Sequence, residues 1–305
     1  MFSIIFPGQG SQFIGMAKEF YNNFNYVKEY FQNADDLLKK KLSKIILEGP
    51  KDQLDQTYNT QPAIFLASYS IFSVIEKETN LDVKNAKFYA GHSLGEYSAL
   101  CCAKSITFDQ TINLLEHRGK AMQNALPDGD GGMIAVLGTE IEIINKILVK
   151  NNKHICYVAN DNTLGQVVVS GKKNSLNLLA EELKEKNIKS IFLPVNAPFH
   201  CPLMKNATEE MRNIILDTNF YDPIVSVISN VTASPQNKSQ EIKNLLIEQI
   251  ENPVRWRESV HNMINLGVNK FIEVGPEKVL SGLIKRIDRN IKLNQVNNLE
   301  DLKNI

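Results

Sequence analysis

Cysteine is scarce in this chain, with four among 305 residues at Cys101, Cys102, Cys156 and Cys201. Neither their number nor their spacing fits a disulfide framework or a zinc site, so a reducing compartment is expected and a bound metal is not. An excess of either charge is also missing, because 34 Lys plus Arg face 34 Asp plus Glu. No bulk field therefore draws the protein to nucleic acid or to an anionic membrane, and any electrostatic partner site must be local. No apolar run approaches the ~18 residues of a membrane span. The opening "MFSIIFPGQG" has too short an apolar run, and no basic flank, for a secretion signal. A soluble cytoplasmic protein is the expectation. Internal repeats and low-complexity linkers are absent as well. With 43% hydrophobic and 22% charged residues the chain is neither disordered nor fibrous, and its length suits one large domain or two smaller ones.

What is present alternates between strand and helix signals. "SIIF" at Ser3 to Phe6 reads as a buried strand that Pro7 and Gly8 break into a glycine-punctuated turn. Helical spacing of apolar residues follows over 16–48 and 60–79, before "KFYAGHS" returns to strand composition. Helices on either side of a strand indicate a parallel sheet. After "LPDGDGGM" the pattern changes. Strand-like Met133 to Leu137, a helix from Thr139 to Lys150, strands Ile155 to Ala159 and Gln166 to Ser170 joined by the turn-rich "NDNTLG", a helix from Asn174 to Lys186 and a strand from Ser190 to Val195 follow in order. That β-α-β-β-α-β order is the ferredoxin-like one. The predicted architecture is thus α/β, with a large subdomain at 1–124 and 197–305 and a small inserted one at 125–196. Beyond 197, "IVSVIS" and "KFIEVG" read as strands. Residues 240–251 and Arg255 to Leu266 read as helices, and "EKVLSGLIKRI" as a helix that Pro276 could start.

Gly91-His92-Ser93-Leu94-Gly95 fits G-x-S-x-G, in which a strand turns sharply into a helix and presents the serine on a strained backbone. A serine hydroxyl needs a base, usually a histidine held by a third group. Five histidines are available. His92 abuts the serine, so the turn aims its side chain elsewhere, to pack or hydrogen-bond beside the site. His117 lies in a helix-like stretch, and His154 and His261 lie in polar surroundings that read as surface. His200, in "NAPFHCPLM", follows a strand and a proline-bracketed loop that could carry it to the carboxyl edge of a parallel sheet. Cys201 beside it has no nucleophile turn around it and reads as structural.

An ordinary α/β-hydrolase places an acid between serine and histidine in the chain. Here that interval is mostly the inserted module, whose best acidic candidate is Asp161 in a turn, and about a hundred residues follow the histidine. The group that orients His200 could instead be a backbone carbonyl or an amide.

At this point a family resemblance is plain. "FPGQGSQ", "GHSLGEYSAL", "RGKAMQ" at 118–123, "NDNTLGQVVVSG" at 160–171, "FHCPLM" at 199–204, "NPVRW" at 252–256 and "EVGPEKVLSGLIKR" at 273–286 resemble, in order, motifs of the malonyl-CoA:acyl carrier protein transacylase family. The likeness spans essentially the whole chain and implies an α/β-hydrolase-like core with a ferredoxin-like insertion. By resemblance Ser93 is the nucleophile that takes malonyl from coenzyme A, and His200 is the base and then the acid. The main-chain carbonyl of Gln249 orients His200, and the amides of Gln9 and Leu94 form the oxyanion hole. Arg118, which as one helical arginine would read as surface charge, becomes the bidentate holder of the malonyl carboxylate. Phe199 and His92 complete the substrate surroundings, and Leu94 and Phe199 resemble residues of malonyl-selective members. The resemblance implies ping-pong transfer to the phosphopantetheine thiol of acyl carrier protein, in fatty-acid synthesis, by a cytoplasmic monomer without metal or bound cofactor. Lys278, Lys285, Arg286 and Arg289 read equally as a carrier docking patch and as a solvated helix face. Three alternatives stand beside this reading: a serine esterase or thioesterase, a polyketide-type acyltransferase, and a catalytically silent interaction domain.

Overall fold

The computed structural model describes residues 1–150 and 155–305. Its first strand, β1 (Phe2–Phe6), is apolar on both faces, as a central strand covered by helices must be. Ile4 and Phe6 enter one core and Ile5 enters another on the opposite face. The helical spacing over 16–48 resolves into α1 (Lys18–Asn23), α2 (Asn25–Leu38) and α3 (Leu42–Glu48). The breaks fall at extended Phe24 and at left-handed Lys39, two conformations that cannot continue a helix. The short α4 (Lys51–Leu54) leads to α5 (Thr57–Glu78), which is buried on nearly every side. Next come β2 (Phe88–Gly91), α6 (Leu94–Cys102) and α7 (Phe108–Gln123), the last opened by a capping box between Thr107 and Gln110.

A second sheet then forms from β3 (Gly131–Leu137), β4 (Cys156–Thr163), β5 (Gln166–Lys172) and β6 (Lys189–Phe192), antiparallel in the order β4-β5-β3-β6. Helices α8 (Ile141–Lys150) and α9 (Lys173–Glu185) complete the β-α-β-β-α-β order. Ile144, Ile147, Leu176, Leu179 and Leu183 pack on Ile134, Val136 and Val169 as a separate small core. One expectation fails here. "NDNTLG" is not all turn, because Asn160 to Thr163 continue β4 and the chain reverses only at Leu164 and Gly165. Asp161 is therefore a strand residue.

The chain returns through α10 (Lys205–Asp217), β7 (Val227–Ile228), β8 (Pro235–Gln236), α11 (Ser239–Gln249), α12 (Trp256–Asn265), β9 (Lys270–Val274), α13 (Val279–Ile287) and β10 (Lys292–Val296). The large sheet has the order β10-β9-β1-β2-β7-β8, parallel except for β8. The α/β class, with a parallel sheet and a separate antiparallel one, is as the sequence led us to expect. "IVSVIS" contributes only two strand residues. Pro276 does not start α13, which begins at Val279 and in whose first turn the Leu280 and Ser281 amides donate to the buried Glu273 carboxylate at 2.9 and 2.7 Å. Neighbouring β1, β2 and β7 are parallel, so their carboxyl ends share one edge, where ligands of such sheets bind.

Candidate active site

Ser93 stands between β2 and α6 with φ 54° and ψ −109°, a conformation that L residues rarely adopt. The turn closes only because its flanks lack side chains. A Cβ on Gly91 would collide with the Gly95 carbonyl group, and one on Gly95 would collide with the Phe6 oxygen. Two side chains hold the strained residue. Asn230, just beyond β7, accepts the Ser93 amide at 2.7 Å, and the Gln249 side-chain amide donates to the Ser93 carbonyl at 3.1 Å.

The Ser93 hydroxyl lies 2.8 Å from His200 Nε2. The other ring nitrogen of His200 lies 2.8 Å from the Gln249 main-chain carbonyl, which can only accept. Nδ1 must carry the proton, and Nε2 is left as the acceptor for the serine. His200 is buried, and its pKa is pushed down to about 3, first by loss of solvent and then by the positive charge of Arg118. The imidazole is thus neutral and able to take a proton.

Arg118 is fully buried on α7. Its guanidinium donates to Gln61 Oε1 at 2.8 Å, to Gln249 Oε1 at 2.8 Å and to Ser93 Oγ at 3.1 Å. Among the described residues its Nε has no partner. Burial disfavours the charge, and the ring of Tyr97, 5.4 Å away, faces it. An arginine held in this way, beside a nucleophile and away from water, suits an anionic substrate.

The amides of Gln9 and Leu94 donate to no other group among the described residues. Both residues line a cavity of about 100 Å³ together with Ser93, His200, His92, Phe199, Gln61 and Asn160. A wider cavity of about 540 Å³ shares Gln9, Val195 and Phe199 with it and opens towards Gln56, Gln123, Asn196 and Asp128. His92 lines the inner cavity, donates Nε2–H to Asn162 at 2.9 Å and lies 5.9 Å from the ring of Trp256. His117 and His261 are exposed, and His154 lies outside the described residues.

Asp161 takes no part in this arrangement. Its carboxylate is held by Arg257 at 2.9 and 3.0 Å. The four basic residues considered for carrier docking are exposed; Arg286 donates to Gln166 at 3.0 Å and Lys285 to the Arg289 carbonyl at 2.8 Å. Sequence reasoning missed Gln61, Asn230 and Glu96. Glu96 carried a signal, being a carboxylate inside the small-residue run "EYSALCCA". Among the described residues no group of three or more His, Cys, Asp or Glu side chains could hold a metal, and no helix is long and apolar enough to cross a membrane.

A serine on a strand-helix turn, a neutral histidine on its hydroxyl and two unengaged amides beside it define the acyl-transferring class of α/β enzymes. The acyl transferase domain family matches residues 3–298. The malonyl CoA-acyl carrier protein transacylase of Bacillus subtilis (strain 168) is 41% identical over 304 residues, covering 99% of this chain and 95% of that one. The acyl-carrier-protein-S-malonyltransferase of Bartonella henselae superposes with a TM-score of 0.96 at 40% identity, over 99% and 97% of the two chains. A malonyl-transacylase solved in complex with a type II PKS acyl-carrier protein gives 0.95 at 36% identity, over 99% and 97%. The chain belongs to the malonyl CoA-acyl carrier protein transacylase family.

Proposed function

We propose that the protein moves malonyl from malonyl-CoA to the phosphopantetheine thiol of acyl carrier protein, through an ester on Ser93. One observation carries this reading: a single oxygen, Ser93 Oγ, lies within hydrogen-bond reach of both a neutral histidine and a buried arginine. His200 Nε2 takes the hydroxyl proton as Oγ attacks the thioester carbonyl. The oxyanion that forms is received by the Gln9 and Leu94 amides, donors that matter most where charge develops. His200 then returns the proton to the departing coenzyme A thiolate. In the second half the carrier thiol gives its proton to His200, attacks the ester carbonyl, and Ser93 recovers its hydrogen. Arg118 holds the free carboxylate of malonyl, with Phe199 and His92 beside it, and so fixes the carbonyl over the serine.

The reaction so written needs no metal or bound cofactor, because both thiol carriers are substrates. A cytoplasmic monomer serving fatty-acid synthesis is the setting we propose. The likeness to a transacylase that partners a type II PKS carrier makes a polyketide carrier the second reading. The test is to incubate the protein with labelled malonyl-CoA, with and without each type of carrier. Label is expected to be trapped on Ser93 and to leave it only when carrier is added. Release as free malonate at one rate with or without carrier would identify a thioesterase, and failure to label Ser93 would mean a silent fold.

A further inference from the structure

Glu96 lies one turn beyond the nucleophile on α6, only 3% exposed, and touches neither Ser93 Oγ nor His200. Its Oε2 receives two hydrogen bonds, from the Asn230 main-chain amide at 3.0 Å and from the Gln249 side-chain amide at 2.7 Å. Those two partners are the residues that grip Ser93 at its amide and its carbonyl. Asn230 also donates to the Gly91 carbonyl at 2.7 Å, so the strand residue that enters the turn is held as well. Gln249 reaches further, because its main-chain oxygen fixes the His200 ring and its side-chain oxygen accepts from Arg118.

We infer that Glu96 is a positioning residue for acyl transfer: one buried carboxylate oxygen sets Asn230 and Gln249, and through them nucleophile, base and arginine together. The physical case is one of desolvation. A carboxylate taken out of water is costly unless its lone pairs are used, and here one oxygen accepts from two separate elements at 3.0 and 2.7 Å, against the longer 3.4 Å contact by which the Gln249 side-chain amide reaches Asn230 Oδ1 directly. Burial raises its pKa to about 7, against the two hydrogen bonds and the charge of Arg118. A group kept at that cost suits a place where geometry matters more than stability. Removing it leaves the buried Asn230 amide without its acceptor, takes from the Gln249 amide its shortest hydrogen bond, and loosens both grips on a backbone that would relax away from φ 54°.

The inference deepens the reading of Ser93 as an acyl carrier, and its test separates the two. Full-length parent, Glu96→Ala, Glu96→Asp and Glu96→Gln would be compared in two single-turnover reactions followed by intact mass: loading from malonyl-CoA and phosphonylation of Ser93 by a fluorophosphonate. Glu96→Ala is expected to slow both at saturation by about 100-fold, with the half-saturating malonyl-CoA concentration shifted less than about twofold. Glu96→Asp keeps the charge but falls short of both donors, so a loss of about tenfold or more is expected. Glu96→Gln keeps an oxygen for both donors and is expected to stay within about fivefold of the parent. Should Glu96→Ala not fold, the Asp and Gln pair carries the test. Loading near the parent rate in folded Glu96→Asp, or a loss in Glu96→Gln as large as in Glu96→Asp, would overturn the inference. The fluorophosphonate arm involves no malonyl, so losses there support the positioning role even where malonyl transfer fails.

Discussion

The main-chain carbonyl of Gln249 lies 2.8 Å from Nδ1 of His200, in the place where many serine enzymes put a carboxylate. A carbonyl fixes the tautomer as well as a carboxylate does, but it brings no full negative charge. The imidazolium is therefore weakly stabilised, and burial with the nearby Arg118 charge holds the His200 pKa at about 3. Loading of Ser93 is accordingly expected to stay on its plateau well below pH 6.5. An acid limb in the loading rate centred near 6.5 would contradict this electrostatic account.

The same residue has a consequence for stability. The unfolded chain takes up a proton on His200 near pH 6.5, whereas the folded chain refuses it until about 3. Stability is thus lost as pH falls through that window, by up to about 1.4 kcal/mol per pH unit from this group. Glu96 acts in the opposite sense, because its folded pKa is raised to about 7 and acidification from 7 towards 4.5 relieves its buried charge. His200→Ala should remove the first contribution alone. Denaturant unfolding at several pH values would show it as a parent-minus-variant difference that grows between pH 4 and 6.5; a flat difference would refute it.

Arg118 should govern which acyl group is accepted. Arg118→Ala is expected to lower kcat/KM for malonyl-CoA by about 100-fold or more, the usual cost of removing one partner of a buried, charge-assisted contact. Acetyl-CoA, which has no carboxylate to hold, should be affected much less. Arg118→Lys should not rescue malonyl transfer, since a point charge cannot also span Gln61 and Gln249. Equal losses for both substrates would make the residue structural.

Strain at Ser93 is separately measurable. Left-handed backbone at a residue with a Cβ costs about 1–3 kcal/mol, part of which glycine recovers despite its larger unfolded-state entropy. Both Ser93→Ala and Ser93→Gly lose the hydroxyl and should form no acyl-enzyme. Ser93→Gly should nonetheless be more stable than Ser93→Ala by about 1 kcal/mol in denaturant unfolding. The reverse order would mean that the turn carries no strain.

The sequence disclosed most where residue type and place in the chain act together. Gly91 and Gly95 flank a serine after an apolar strand, and no other local structure uses that spacing so economically. His200 was legible by elimination and Gln249 only by family likeness, because a main-chain carbonyl leaves no trace in residue identity. Asn230 and Gln61 were invisible for a related reason: each is an ordinary amide until the fold brings it to Ser93 or Arg118 from far along the chain. Strand β10, "KLNQV", leaves little mark in the sequence, since an edge strand needs little apolar patterning. The turn-rich "NDNTLG" puts Asp161 in a turn by local propensity, which yields there to pairing with β5 and to a parallel bridge between Asn160 and Val254.

As the best acid between serine and histidine, Asp161 would be the third member of an ordinary hydrolase triad, and its loss would then stop the chemistry. The structure gives it another partner. Its carboxylate, with a side chain 12% exposed, meets the Arg257 guanidinium on α12, itself 23% exposed, at 2.9 Å. Beside that pair the Asp161 amide donates to the Val254 carbonyl at 3.0 Å, so β4 is fastened to the segment leading into α12. Asp161→Asn removes the charge but leaves the backbone bond, and the half-buried Arg257 loses its partner. A destabilisation of about 1–3 kcal/mol is expected, and Arg257→Ala should add little to it in the double variant, because both report one contact. Loading of Ser93 per folded molecule should change by less than about threefold. A stable Asp161→Asn protein that cannot be acylated would restore the acid to the catalytic set and displace the Gln249 carbonyl from its role.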